Sequence, residues 1–544
     1  MRSLNRRAPW HLLLLVTSLV ALPTLTACAA SGADEAGANA APAEIGSVSV
    51  ASLNRLSNLA KKIGVDLPPF LTAAGIEKQF PFLGQGGLDQ DRPIGIIFYG
   101  RQGWVVSKGQ GVVFVLPVQP GAAPLKAFTD AGAKPKEGNP GVVEMNGAAF
   151  RRTTGELLFG TTAPAVAAVR EAELTDLYGK AVAGEAAPGA ASTEARMIFD
   201  VKALRDVDPE QFKAFFDNIV ASSAPNSESE RQGQELAIKF MRNLDRVDLT
   251  LGEAARDLQL RCAIAPAKVP PGGTFQKPAL PREAAVRIDF AASPIDAIPN
   301  FDDGLKTFVH GVLATSYPHA TPEIEPQVSR TVRSAADVFL GGQAISAGFV
   351  PQGKGGVLYL VEQHFKGRLD ERLSQLAEQF NASSALLDKP PTRSEVQLSH
   401  YADAAGLDVT RLQMSDGGKV VAYIDGAQQG STALFTFSDD PGRSVASLAG
   451  QPPGGPMSGL ATGQVDVQRV LEAVEKQPDS PLANMKPDQR KQLMDLARGQ
   501  MIRFAAHGES NSMVLTVITP EQFIKGLAEF AKNSGGAANV PNTP

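Results

Sequence analysis

Cysteine, histidine and surplus positive charge are what this sequence has least of. Its 544 residues contain two cysteines, Cys28 and Cys262. A chain with so few thiols cannot build a disulfide framework or an all-cysteine zinc site. The six histidines are His11, His310, His319, His364, His400 and His507, and only His310 and His319 lie close in sequence. A loop at Tyr317-Pro318 would bring those two near Glu323 or Glu325, although solvent-facing or hydrogen-bonded imidazoles explain them better than a metal site does. Basic residues number 52 against 57 acidic ones and form no cluster, so nucleic acid is not an expected partner. No apolar run of spanning length follows the first thirty residues.

The amino-terminal segment is informative. Arg2, Arg6 and Arg7 stand without an acid before an apolar stretch from Leu12 to Leu22, which Pro23 ends. A basic start followed by about eleven mostly apolar residues is the layout of an export signal rather than of a stable membrane span. Leu25-Thr26-Ala27-Cys28 follows directly.

Those four residues resemble the lipobox of bacterial lipoprotein precursors. The resemblance covers about thirty residues and implies cleavage before Cys28, a diacylglycerol on its sulfur and an acylated new amino terminus. It thereby implies a membrane anchor, with the body in the bacterial envelope facing the periplasm or the exterior. Ordinary signal-peptidase cleavage after Ala29 is the alternative, since Ala27 and Ala29 also form a small-x-small site. Loss of residues 1–27 removes three arginines and no acid, leaving 49 basic and 57 acidic side chains and a formal charge of −8.

Residues 28–46 read as a tether of small and polar residues. Similar stretches at 181–193, 269–283 and 451–461 divide the body into long pieces at 47–180 and 284–450 and short ones at 194–268 and 462–531, ahead of a flexible tail at 532–544. Each piece opens with a short strand running into a helix: Val48–Val50, Met197–Phe199, Val286–Ile288 and Val465–Val467. This long-short-long-short order predicts a tandem internal duplication. Within the long pieces, Asn146-Gly147 and Asp416-Gly417-Gly418 mark hairpin turns. Strands joined mainly by tight turns predict an α+β fold of antiparallel sheets with helices packed on one face. The layout resembles exported bacterial proteins of unknown function with two such halves, a likeness that implies location and architecture and no activity.

The local motifs carry little chemistry. Gly348, Gly353 and Lys354 fit part of a P-loop, but Gly355 stands where Ser or Thr is needed and a strand follows instead of a helix, so a hairpin turn is expected. Asn300, Asp302, Asp303 and Gly304 lack calcium-loop spacing and read as a helix start. Gly455–Gly459 is not a nucleophile elbow. Cys262 alternates with Leu258, Leu260 and Ile264 on one strand face, as a buried small hydrophobe does, with a reactive thiol as the minor reading. Phe98, Tyr99 and Trp104 surround Gly100–Gly103 and either form a contact surface or pack under helices.

The expected function is therefore a non-catalytic binding or scaffolding body on a lipid anchor, partnered by an envelope protein or an apolar, lipid-like ligand. No cofactor and no metal are expected. The alternative is an envelope hydrolase with a site between the halves, because residues of a catalytic triad assemble across long sequence distances.

Overall fold

In the computed structural model the chain is described over residues 42–533, apart from 66, 68–71, 80–86, 102–109, 121–123, 131, 146, 183–191, 211, 214–241, 255–256, 266–274, 279, 294, 296–300, 318–323, 353–354, 388–392, 450–454, 458, 478–479, 481, 483–484 and 510. It divides into two compact units: residues 1–217, 244–265 and 519–544 form the first, and residues 218–243 and 266–518 the second. The class is α+β.

The first unit begins with β1 (Ala43–Val50), α1 (Leu53–Lys62), α2 (Ala73–Gln79), β2 (Ile94–Gly100), β3 (Val112–Pro117) and α3 (Pro124–Asp130). It continues with β4 (Lys134–Pro135), β5 (Val142–Met145), β6 (Ala148–Arg152), β7 (Glu156–Gly160), α4 (Ala163–Ala168) and α5 (Glu171–Val182). β8 (Ser192–Asp200), α6 (Val201–Val207), β9 (Arg246–Ala254) and β10 (Asp257–Ala265) follow. Antiparallel pairings run in the order β10-β9-β8-β1-β2-β3-β7-β6-β5-β4.

The ends of these elements follow from local chemistry. Ser52 caps α1 by accepting from the Arg55 amide at 3.1 Å. Gly64, at φ +73°, ends it: the Gly64 amide donates to Lys61 O and the Val65 amide to Ala60 O. Only a residue that tolerates left-handed backbone closes a helix in this way. Between β5 and β6 the turn holds Gly147 at φ +78° and pairs Met145 with Ala148.

Helices cover both faces of this sheet, which corrects the expectation of a single covered face for the first unit. Ile97, Tyr99, Val113, Val115 and Leu158 pack against Ala165, Val166, Leu174 and Leu177 of α4 and α5. Ile94, Leu116, Phe150 and Leu157 point the other way, against Leu53, Ile76 and Phe128 of α1, α2 and α3. The physical reason is that β2 and β3 are apolar on consecutive residues, so each strand has two faces to bury. A buried leucine or phenylalanine contributes roughly 1.5–3 kcal/mol relative to exposure, so both layers are needed. β1 also starts inside the stretch read as tether: Ile45 is 1% exposed, and Gly46 approaches β8 so closely that a β-carbon would stand 2.6 Å from Ile198 O. The helix Glu521–Asn533 belongs to this unit, where Ile524 joins Leu59, Ile63, Leu251 and Leu258.

The second unit contains β11 (Val286–Phe290), α7 (Phe301–Ser316), α8 (Glu325–Phe339), β12 (Ala344–Gln352), β13 (Gly355–Gln363) and α9 (Leu369–Leu387). The antiparallel run β14 (Ser394–Ala402), β15 (Asp408–Asp416), β16 (Lys419–Gln429) and β17 (Thr432–Ser438) comes next. β18 (Ala461–Asp466), α10 (Val467–Glu475), α11 (Pro487–Ala497), β19 (Met501–Glu509) and β20 (Ser512–Pro520) complete it. Its pairing order is β20-β19-β18-β11-β12-β13-β17-β16-β15-β14. Gly417 and Gly418, at φ +53° and +79°, turn β15 into β16 as the sequence predicts.

Here the helices do favour one face. Val338 of α8 and Leu369, Leu373 and Leu376 of α9 pack on Ile345, Leu360, Leu412 and Phe435. The opposite face, with Val357, Tyr359, Val361 and Leu434, is closed by Leu280, Ala284, Val445 and Leu448 from non-helical segments and a single 3₁₀ turn.

Candidate functional site

Among the described residues, several polar side chains lie inside the two cores, and most of those discussed below are paired with one another. On the α5 side of the first sheet, Ser47 and Ser49 of β1 leave a narrow crevice that Ile97, Glu173, Leu177 and Arg196 also line. It is too narrow for an organic ligand. Arg196 Nε donates to Asp248 Oδ1 at 2.9 Å, so a buried acid and a half-buried base neutralise each other. Tyr99 donates its hydroxyl to Glu173 at 2.6 Å, and the same carboxylate accepts from the Arg170 backbone and guanidinium at 2.6–2.9 Å. Glu173 thereby closes the amino-terminal turn of α5. Burial and the neighbouring Glu173 push the Tyr99 phenol well above its ordinary pKa, so it stays a hydrogen-bond donor at any physiological pH. Nearby, Arg151 donates to the carbonyls of Val166, Ala167 and Val169 where α4 ends.

In the second unit Asp289, 2% exposed, accepts from Ser346 Oγ at 2.6 Å and Arg287 Nε at 3.1 Å, with Lys277 Nζ at 3.6 Å. Asp425, 1% exposed, takes two bonds from Arg411 at 2.6 and 2.8 Å and one from the Tyr401 hydroxyl at 2.6 Å. Arg411 lies over both the Tyr401 and Tyr423 rings, 4.8 and 5.1 Å from their centroids. Such closed clusters fix strand positions; they offer no free base and no open ligand surface.

Glu362 on β13 differs from these clusters in having no basic side chain bonded to it among the described residues. Its side chain is fully buried, Oε2 accepts from the Gly342 amide at 3.1 Å, and Oε1 has no hydrogen-bond partner in the protein. Burial raises its pKa to about 8.

The residues singled out from the sequence fare unevenly. Tyr99 is 1% exposed and belongs to the core, which agrees with the packing alternative and not with a contact surface: odd-numbered residues of β2 face α5. Phe98 points to the other face and is half-buried, while Trp104 lies outside the described residues. Leu25, Thr26, Ala27 and Cys28, together with Asn300, His319, Glu323, Gly353 and Lys354, also lie outside them. His310 and Glu325 do meet, Nδ1 to Oε2 at 2.9 Å, as an exposed pair. Among the described residues no group of three potential metal ligands forms, and no helix is long and apolar enough to cross a membrane. The P-loop-like stretch is a hairpin that pairs Pro351 with Gly356 and Gln352 with Gly355. Cys262 sits on β10 opposite Leu249, and burial with Asp248 nearby raises its thiol pKa, the opposite of an activated nucleophile.

Thr410 Oγ1 and His400 Nδ1 approach to 3.2 Å as directly opposed strand residues, yet among the described residues no carboxylate bonds that ring to complete a relay. The interior acids Asp289, Glu362 and Asp425 were missed in the sequence. For Glu362 and Asp425 a signal was present, a single charge after an apolar run such as Val357–Val361 before Glu362; Asp289 shares its strand with Arg287 and gives none.

No family model matches the chain, and no curated protein matches it. A solved structure titled "Structure of crystal form I of TP0453" is similar over 45% of this chain and 94% of its own, at 9% identity and a TM-score of 0.19. A likeness of that size bears no weight for fold or function.

Proposed function

We propose that the chain is an exported bacterial envelope protein, anchored through lipid on Cys28, whose duplicated body binds or scaffolds and catalyses nothing. The observation that carries the non-catalytic reading is the closure of its interior charges: Arg196 with Asp248, Arg411 with Asp425, and Arg287 and Lys277 with Asp289. A catalytic pocket needs such groups converging on an open space with displaced pKa values.

Duplication is supported by the two pairing orders, which coincide when ten is added to each strand number of the first unit. It is supported again at one junction. β8 runs into α6 through Asp200, whose side chain caps the Ala203 amide at 2.7 Å, and β18 runs into α10 through Asp466, which caps the Arg469 amide at 3.1 Å. Two copies of one binding frame on a tether suit a partner that is an envelope protein or an apolar ligand. The leader, the box at Leu25–Cys28 and the formal charge of −8 after its removal point to the envelope rather than to nucleic acid.

The test is native mass spectrometry of the protein taken from its own membrane fraction, with in-cell cross-linking in parallel. A co-purified lipid or a specific cross-linked envelope protein is the expected result. Turnover of ester, peptide or glycoside substrates that survives repurification would overturn the non-catalytic reading.

A further inference from the structure

Glu362 occupies a place where a carboxylate is hard to keep. It lies between Ile345 of β12 and Ala433 of β17, its two cross-strand neighbours, and is 0% exposed. Among the described residues the hydrogen bond to its side chain comes from Gly342, in the four-residue connection Leu340–Gln343 that leads from α8 to β12. Gly342 fits tightly there: a β-carbon would stand 3.0 Å from both Cβ and Oε2 of Glu362 and 3.1 Å from Gln363 O, so a side chain would press on the acid. A second tie, from the Gln343 amide to Gln363 O at 3.1 Å, holds the same connection to β13. The other end of the connection is fixed at α8, where the Leu340 amide donates to Ala336 O and Ser293 Oγ donates to Leu340 O.

The charged groups around this acid leave it uncompensated. On α9, Arg372 acts on it from a distance but donates to Asp337 O at 3.4 Å and stacks over Phe365 at 5.2 Å instead. On α8, the Asp337 carboxylate is taken by Arg333 at 3.2 Å. β12 and β17 present no titratable side chain opposite it. Two residues on, just beyond the end of β13, His364 adopts φ +56° and sets its ring edge-on to Phe275 at 5.7 Å. An ionised carboxylate here would keep one oxygen with no donor in an apolar setting, whereas the neutral acid pays far less for burial.

We propose that Glu362 is a proton-dependent latch: as a neutral acid it lets the α8–β12 connection close over it, and on losing its proton it drives that connection open towards water, because the cost of burying the charge outweighs the stronger bond that a carboxylate accepts from Gly342. Burial places the transition near pH 8. The sign follows from linkage. The folded protein binds the proton more tightly than the opened state, where the group returns to its ordinary value of 4.5. Closure is therefore fully supported below about pH 4.5, weakens as pH rises, and has lost this contribution above about pH 8.

The experiment is amide hydrogen exchange on the full mature chain between pH 6 and 9.5, corrected for the intrinsic pH dependence of exchange. In the wild-type protein, opening of peptides over residues 336–345 should become roughly tenfold easier per pH unit up to about pH 8 and then level off. Glu362→Gln, which keeps the shape and cannot ionise, should flatten that slope in the same peptides. Peptides over β5 and β6 should show no slope in either protein. An unchanged slope in the Gln variant, or a wild-type protein with no slope, overturns the latch. An equal slope in every peptide also overturns it, since that describes global unfolding. If the Gln variant fails to fold, the wild-type profile alone decides by the same criteria.

Discussion

Asn381 of α9 is predicted to guard an exposed edge of the second sheet. β14 pairs only with β15 among the described residues, so one side of a nine-residue strand is open to other chains. Asn381 closes part of it: Oδ1 accepts from the Val396 amide at 2.8 Å and Nδ2 donates to Val396 O at 2.8 Å. Ser384 Oγ adds a bond to Ser394 O at 2.5 Å. The amide side chain thus stands in for a neighbouring strand. Asn381→Ala strips both partners from Val396, which is 7% exposed. Each unpaired buried backbone group costs about 1–3 kcal/mol, towards the lower end where water enters beside the exposed Glu395 and Gln397. Alanine returns about 0.6 kcal/mol through its better helix propensity. The net loss is about 2–3 kcal/mol, read as a lower urea midpoint at unchanged slope, with faster exchange over residues 394–402. Asn381→Leu, which fills the volume without hydrogen bonding, should lose a similar amount. Sedimentation velocity should show self-association of either variant. If Asn381→Leu matched the wild-type midpoint and stayed monodisperse under the same conditions, the edge-capping argument would fail.

Other outcomes follow from the same interior. Asp425→Ala should cost about 3–5 kcal/mol in urea unfolding, because it strands the Arg411 guanidinium and the Tyr401 hydroxyl in a buried setting. Lys126→Ala, at an exposed pair with Asp130, should cost less than about 0.5 kcal/mol, and a comparable loss at both sites would refute the distinction. Cys262, half-buried and with its thiol pKa raised by that burial, should alkylate more slowly at pH 8 than a cysteine in an unfolded peptide and match it in urea; equal rates in the folded protein would count against this shielding.

Tight turns were the part of the fold most legible in the sequence. Asn146-Gly147 and Gly417-Gly418 announced hairpins because such residues tolerate the left-handed backbone of a tight turn, which Gly147, Gly417 and Gly418 adopt, and strands pair on either side of both turns. α8 gave little periodic signal because its inner face combines Thr331, Ala335 and Val338 and has a large apolar side chain, Phe339, only at its last residue. β14 gave little signal too, with one buried side chain, Val396, in nine residues. The first residues of β1 look like tether because Gly46 and its small neighbours are chosen for close backbone approach rather than for apolar area. Site residues were harder still. That Tyr99 faces inward and Phe98 the other way depends on which face of β2 meets α5, and a strand apolar on both faces does not encode that choice. Glu362 and Asp425 are lone charges after apolar runs, yet what surrounds them comes from other elements: Gly342 beside Glu362, and Arg411 and Tyr401 beside Asp425.

The anchor on Cys28 is the central claim, since location, orientation and the kind of partner all rest on it. Its most direct test is the intact mass and amino-terminal peptide of the protein recovered from its own membrane fraction, beside a Cys28→Ser variant. The account predicts a chain beginning at Cys28 with diacylglycerol on the sulfur, and a variant that is exported without it. A wild-type chain that begins unmodified at Ala30, or that keeps its first 27 residues, would contradict it.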